Sequence, residues 1–309
     1  MRASHLAQHR RPNQPCQHHR VLPGPSPPEH HLQLGVVGSD ALCKGQGQQL
    51  LMSLKLTIGY SVLRERIQNI TPPLERPDWE TVIVVQNPGE KSWQLEDFPK
   101  LTGRGDLSTE ELQSTGVAKS RTRAIWLARS EYLVFADDDI VFSESGLEEA
   151  VTYLDENPRL SLLLAQAQDP SGRLRKQYPK SAAKLSVWNS ARAATYEMII
   201  RVDAIRQFGV VFDENFGAGS ENYLGDEYIF IADLLRAGGK AEFVPITVAT
   251  HPEDSSGSGW GTSRDRVARA RVFTRVFGAL APLVRLAFGL RRVRELGGPT
   301  NLLRFVLAR

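Results

Sequence analysis

Apolar and polar positions alternate over residues 54–58, Leu-Lys-Leu-Thr-Ile, a period of two that predicts a half-buried strand running into Gly59, Tyr60 and Ser61. Residues 62–70 change to a helical spacing, which Pro72 and Pro73 end. The β-branched run at 80–85 predicts a second strand, closed by the turn residues Gln86, Asn87, Pro88 and Gly89. Further along, 116–128 reads as a helix, 131–135 as a buried strand ending at Asp137, Asp138 and Asp139, 144–156 as a helix and 160–165 as a strand. Residues 228–238 form an amphipathic pattern closed by Gly238, and 240–248 a last strand. Strands separated by helices of this length predict an α/β fold with a mostly parallel sheet flanked by helices. The ligand crevice of such a sheet lies at the carboxyl ends of its strands.

The two ends of the chain depart from this pattern. Residues 1–52 are rich in His, Gln and Pro, with Pro23, Pro25, Pro27 and Pro28 breaking any regular element, and the expectation is a disordered extension. Met52, where patterned sequence begins, is an alternative start. Residues 261–309 are basic: eleven arginines fall between 264 and 309, against Asp265 and Glu295. The expected organisation is therefore an extension at 1–52, a catalytic domain at 53–260 and a basic helical tail at 261–309. Of 309 residues, 41% are hydrophobic and 24% charged, enough for one substantial core. Both cysteines, Cys16 and Cys43, lie in the extension, so no disulfide is expected in the domain. The longest apolar stretch, 276–290, is interrupted by Arg285; neither a membrane-spanning helix nor a secretory signal is expected.

Three features carry candidate chemistry. Three adjacent aspartates at the mouth of a buried strand repel one another unless a cation sits among them, and Mg²⁺ or Mn²⁺ is suited to such oxygen ligands. A solvated turn capping the next helix explains the triplet equally. Gly225-Asp226-Glu227 opens a predicted helix, where acids are favoured by the helix dipole whether or not they are catalytic. His251 is the single histidine after Met52 and follows a predicted strand in a loop of Pro, Ser and Gly. It is either a structural residue or a neutral metal ligand reaching the crevice.

Together, Gly116-Val117-Ala118-Lys119-Ser120-Arg121, the stretch from Glu131 to Asp139, Phe212-Asp213-Glu214-Asn215-Phe216-Gly217 and Gly225-Asp226-Glu227 resemble glycosyltransferase family 2 in order and spacing. The resemblance implies a GT-A, Rossmann-like fold, a nucleotide-diphosphate sugar donor, UDP-linked in the first instance, a divalent cation (Mn or Mg), and inversion at the anomeric carbon by direct displacement. The family's Asp-x-Asp motif falls on Asp137 and Asp139, with Asp139 the metal ligand and Asp137 facing the ribose or the ion; His251, from its loop position, is the candidate third ligand. Asp226 and Glu227 fall on the acidic pair before the late helix, Glu227 at the position of the catalytic base. Gly59, Tyr60 and Ser61 fall where the family cradles the nucleobase. Gln86 and Asn87 stand where an aspartate is usual, so the base would meet neutral amides. Asp138, Lys119 and Arg121 complete the expected donor contacts, the last two assisting the diphosphate as it leaves.

The expected partners are the nucleotide-sugar donor, a carbohydrate or lipid-linked acceptor and an anionic membrane surface, with no nucleic acid; the expected setting is cytoplasmic, peripheral to the membrane. The role implied is cell-surface polysaccharide or glycolipid synthesis. Rival readings are a haloacid dehalogenase-like phosphatase, which also places Asp-x-Asp after a strand, and a non-catalytic nucleotide-sugar or glycan-binding domain. For the tail, Val272, Phe273, Val276, Phe277, Leu280, Leu283, Leu286 and Phe288 among arginines fit two outcomes. The segment lies in a membrane interface, or it packs on the domain with its arginines solvated.

Overall fold

The structure, a computed structural model, describes residues 53–89, 91–252 and 262–308. The extension expected at 1–52 lies outside the described residues. In chain order the elements are β1 Leu56–Leu63, β2 Trp79–Gln86, β3 Leu107–Leu112, α1 Val117–Leu127, β4 Tyr132–Ala136, β5 Val141–Phe142, α2 Glu144–Glu156, β6 Leu162–Gln168, β7 Ala183–Lys184, β8 Met198–Arg201, α3 Val202–Phe208, α4 Asp226–Arg236, β9 Ala241–Thr250, α5 Ser263–Phe277, α6 Ala281–Arg291 and α7 Pro299–Leu307.

One sheet organises them, in the order β3-β2-β1-β4-β8-β6-β9-β5, with β7 on the side of β9. Strands β3, β2, β1 and β4 run parallel, as do β6 and β9, whereas β8 runs antiparallel to both β4 and β6. The sheet is thus mostly parallel with an inverted strand at its centre. Both faces are covered. Leu56, Ile58, Tyr60 and Val62 of β1 and Val134 of β4 pack with Leu147, Ala150 and Leu154 of α2. On the other face Leu133 and Phe135 of β4 meet Ala118 and Ile125 of α1 and Phe230 and Ile231 of α4. A side chain at Gly59 would collide with Leu133 and Ala124, so this glycine lets α1 approach β1 closely.

Several boundaries differ from the sequence pattern. Strand β1 runs on to Leu63, because residues 62 and 63 pair with Val85 and Gln86 of β2; the helix expected at 62–70 shrinks to a 3-10 turn, Arg64–Asn69. Cross-strand pairing outweighs local spacing here. Strand β3 has the sequence LSTEEL, polar because it is a sheet edge, and so gave no apolar signal. Strand β8 and α3 lie outside the elements that the hydrophobic pattern predicts.

The tail belongs to the same compact unit as the sheet. Val272 and Val276 of α5 pack on Phe216, Tyr228 and Ile229, and Arg275 bridges Asp213 and Asp233. Phe273, Phe288, Phe305 and Leu296 form a small second core joining α5, α6 and α7. The apolar residues expected along one membrane face are therefore divided, the valines and phenylalanines facing inward. Length and composition alone would let Ser263–Leu290 cross a membrane, at a mean hydropathy of 1.4 over 18 residues, but the turn at Gly278–Leu280 divides this stretch into α5 and α6.

Candidate active site

The carboxyl ends of β1, β2 and β4 open onto a cleft of about 1150 Å³ that also reaches the N-terminus of α4 and the inner walls of α5 and α6. Ser61, Gln86, Arg121, Asp137, Asp138, Asp139, Asp226, Glu227 and His251 all line it. The sequence-derived acidic motifs therefore meet in one place. The turn after β4 presents the aspartates, and α4 presents Asp226 and Glu227 in its first turn. Gly225, which precedes them, has φ of 90°, and a Cβ there would strike the Val272 side chain. Only glycine suits both the left-handed backbone and the approach of α5.

Arg121 ties the two acidic motifs together. Its guanidinium is buried, donating from Nη2 to Asp137 Oδ1 at 2.9 Å and from Nη1 to Asp226 Oδ2 at 2.5 Å, with Glu227 Oε1 at 3.7 Å. Burial works against this charge, but Asp137, Asp226 and Glu227 outweigh it and strengthen the guanidinium's hold on its proton. The position expected for a diphosphate contact is thus a bridge between carboxylates. Glu227 is pushed up to about 8 by burial first and by the neighbouring Asp226 charge second; Arg121 and a 2.7 Å hydrogen bond from Thr195 Oγ1 to Glu227 Oε1 oppose the shift.

The three aspartates have different surroundings. Asp138 is buried and accepts from Arg66 Nε at 2.7 Å and Asn69 Nδ2 at 3.0 Å, so its carboxylate anchors the 3-10 turn after β1. Asp139 is exposed to the cleft, with its Oδ1 3.7 Å from His251 Nε2. His251 is buried and stacked on Tyr196, and its Nδ1 meets the Pro252 carbonyl. A proton on Nδ1 satisfies that carbonyl, and Nε2 is the ring nitrogen that faces Asp139. Among the described residues no three His, Cys, Asp or Glu side chains form a complete metal-ligand group.

On the donor side the expectations divide. Gly59 and Tyr60 do not line the cleft: Gly59 packs under α1, while the Tyr60 ring lies in the core and its hydroxyl donates to the Thr71 carbonyl. Ser61 and Leu63 do line it, and the buried Ser61 Oγ has no hydrogen-bond partner among the described residues. Gln86 is in the cleft wall, its amide holding Ser120 Oγ and the Gly116 amide. The Asn87 side chain is turned away, bonded to both the carbonyl and the amide of Lys91. Lys119 is exposed outside the cleft, 3.7 Å from Glu214. The causes differ: Tyr60 points to the face of β1 opposite Ser61, Gly59 shares the Ser61 face but lies deeper under α1, Asn87 turns toward Lys91 and Lys119 points away from the cleft on α1.

The far wall comes from residues outside the sequence motifs. Arg175, Lys176, Arg192, Thr195 and Tyr196 line it from the segment between β6 and β8, and Tyr223, Arg269, Phe273 and Arg292 from beside and along the tail. Arg192 has no side-chain partner among the described residues, whereas Lys176 is paired with the buried Glu197. Little in the sequence signals Thr195, whose role depends on a turn bringing it under α4.

Comparison with known proteins agrees with this geometry. A sequence model described as Glycosyl transferase family 2 matches residues 60–208. No curated protein matches the chain. Among solved structures, S. aureus TarS is similar at TM-score 0.53 and 15% identity, over 80% of this chain. The chain spans 45% of the length of that TarS chain. TarS residues 1–349 are similar at TM-score 0.53 and 14% identity, over 82% of this chain and 81% of that one. The same fragment in complex with UDP-GlcNAc is similar at TM-score 0.53 and 15% identity, over 80% of this chain and 74% of that one. At such identities the likeness is one of fold, and it sets aside the phosphatase reading, which Asp226 as the first residue of α4 also disfavours. The stretch from β1 through α3, with the aspartate triplet at its centre, is thus similar to glycosyl transferase family 2, and the chain around it has a GT-A-like fold.

Proposed function

We propose that the protein transfers a sugar from a nucleotide-diphosphate donor to an acceptor hydroxyl with inversion, Glu227 acting as the base. The observation that carries this reading is that Glu227, with its raised pKa, shares one cleft with Asp137, Asp139 and His251 and is joined to Asp137 through Arg121. The solved TarS complex with UDP-GlcNAc supports a uridine-diphosphate sugar as the first donor to try.

Asp139 and His251 would supply two ligands to a divalent ion, since Asp139 Oδ1 and His251 Nε2 face each other at 3.7 Å in the cleft while the other ring nitrogen of His251 is taken up by the Pro252 carbonyl. A bound ion would neutralise the departing diphosphate. The orphan Ser61 Oγ is available to the nucleoside. Glu227 accepts the proton of the acceptor hydroxyl as its oxygen bonds to the anomeric carbon. The bond from that carbon to the diphosphate oxygen breaks, and its electron pair leaves with the nucleotide. Positioned general-base catalysis of this kind contributes about 10²–10⁴ in rate. The acceptor belongs to cell-surface polysaccharide or glycolipid synthesis, with the enzyme on the cytoplasmic side of the membrane.

The test measures nucleotide release from UDP-sugars with and without candidate acceptors, with and without Mn²⁺, and the anomeric configuration of the product. Metal-stimulated, acceptor-dependent release with inverted product is expected. A retained configuration or acceptor-independent binding without turnover would refute the reading, the latter in favour of a binding domain.

A further inference from the structure

Helix α6 is inverted relative to an ordinary surface helix. Leu283, Leu286 and Leu290, with Leu280 just before it, follow one helical stripe and face outward, Leu283 and Leu290 being 66% and 60% exposed. The opposite stripe, Ala281, Arg285 and Gly289, is buried. Arg285 is 4% exposed and donates to the carbonyls of Ala281, Phe305 and Ala308, so the charged residue is turned inward and the leucines outward. Helix α7 repeats the pattern: Phe305 is buried while Leu303 and Leu307 are 59% and 66% exposed. The phenylalanine core of α5, α6 and α7 holds both helices in this orientation.

We propose that this leucine face docks on an anionic lipid bilayer, lying in the interfacial plane. The choice of occupant rests on charge. Arg291, Arg294 and Arg304, all exposed, sit beside the outward leucines and have no side-chain partner among the described residues. A second copy of the chain would set these unpaired cations against their own kind, whereas anionic headgroups complement them while the leucines enter the acyl boundary. Apolar patches of this kind, rimmed by cations, are unusual on a surface that meets only water. Helices α5 and α6 also wall the cleft through Phe273 and Phe288, so docking would bring the cleft beside the headgroup layer. The inference does not depend on the transfer chemistry proposed above.

The experiment floats the full chain with vesicles of phosphatidylcholine alone or mixed with phosphatidylglycerol. Binding to the mixed vesicles, reversed by salt, is expected. Leu283→Glu with Leu290→Glu should weaken it at least about tenfold with thermal stability unchanged, since both residues are exposed. Arg291→Gln and Arg304→Gln should each weaken it about fivefold. Three outcomes would overturn the proposal: the leucine variant binding like wild type, lipid-free dimerisation that the leucine variant abolishes, or binding that resists alkaline carbonate, which would indicate that Ser263–Leu290 inserts across the bilayer.

Discussion

Thr195 donates a hydrogen bond of 2.7 Å to Glu227 Oε1, joining a turn that precedes β8 to the first turn of α4 across 32 residues of sequence. A bond to the ionised carboxylate favours that form and lowers its pKa. Thr195→Val should therefore move the acid limb of the kcat/KM profile upward, by about half to one pH unit, at nearly unchanged volume. An unmoved limb with reduced kcat would show that Thr195 only shapes the cleft.

Glu227→Gln should bind donor with near-normal affinity and lose about 10²–10⁴ in kcat, because the base acts only as the acceptor proton leaves. Isothermal titration of UDP-sugar beside steady-state rates separates the two. The same variant reports on stability. A carboxyl whose folded pKa is about 8 holds a proton in the folded protein where the unfolded chain, at 4.5, does not. Its stabilising contribution is full below the unfolded value and is lost as pH rises through the folded one. The variant should thus gain Tm over wild type near about pH 9 and not near about pH 5, by a few degrees.

Asp139→Ala should abolish metal binding and weaken donor binding with it, as measured by Mn²⁺ titration followed by donor titration. His251→Ala should weaken metal affinity about 10–100-fold, the usual scale for removing one well-oriented partner of a metal site. Loss of donor binding in Asp139→Ala without any change in Mn²⁺ affinity would detach the aspartate from the ion.

Arg121→Gln removes a buried cation from between Asp137 and Asp226 and leaves both carboxylates poorly compensated. A loss of about 3–5 kcal/mol in unfolding free energy is expected, with kcat falling as well. Adding Asp226→Asn should recover part of the stability, since the second substitution removes one of the stranded charges. Denaturant unfolding of the single and double variants reads this directly.

Much of the fold was legible because hydrophobic spacing reports burial: 144–156 matches α2 in both bounds, and α1, β2 and β4 differ by one residue at each end. The acidic motifs were legible because like charges at strand and helix ends call for a common explanation. Side-chain direction was not. Tyr60 and Ser61 are neighbours, yet pleating sends one into the core and the other into the cleft. Lys119 and Arg121 stand two apart on α1, far enough around the helix that one meets Glu214 outside and the other is buried between carboxylates. Thr195 and Arg192 were invisible because their segment carries no periodic signal and is placed by β8, which pairs with strands distant in sequence.

The reversal of β8 has a consequence for how such an enzyme diversifies. Since β6 ends and β8 begins at the same edge of the sheet, the whole segment at 169–197 leaves and returns on the cleft side. Its two anchors lie on adjacent strands, and between them β7 is bound to the sheet, through β9, so residues can be added or removed on either side of β7 without shifting the pairing of β6 with β8. On the transfer reaction proposed above, a different acceptor would be met by rewriting the cleft-lining positions of this segment, Arg175, Lys176, Arg192 and Thr195, while the strands that carry it stay as they are.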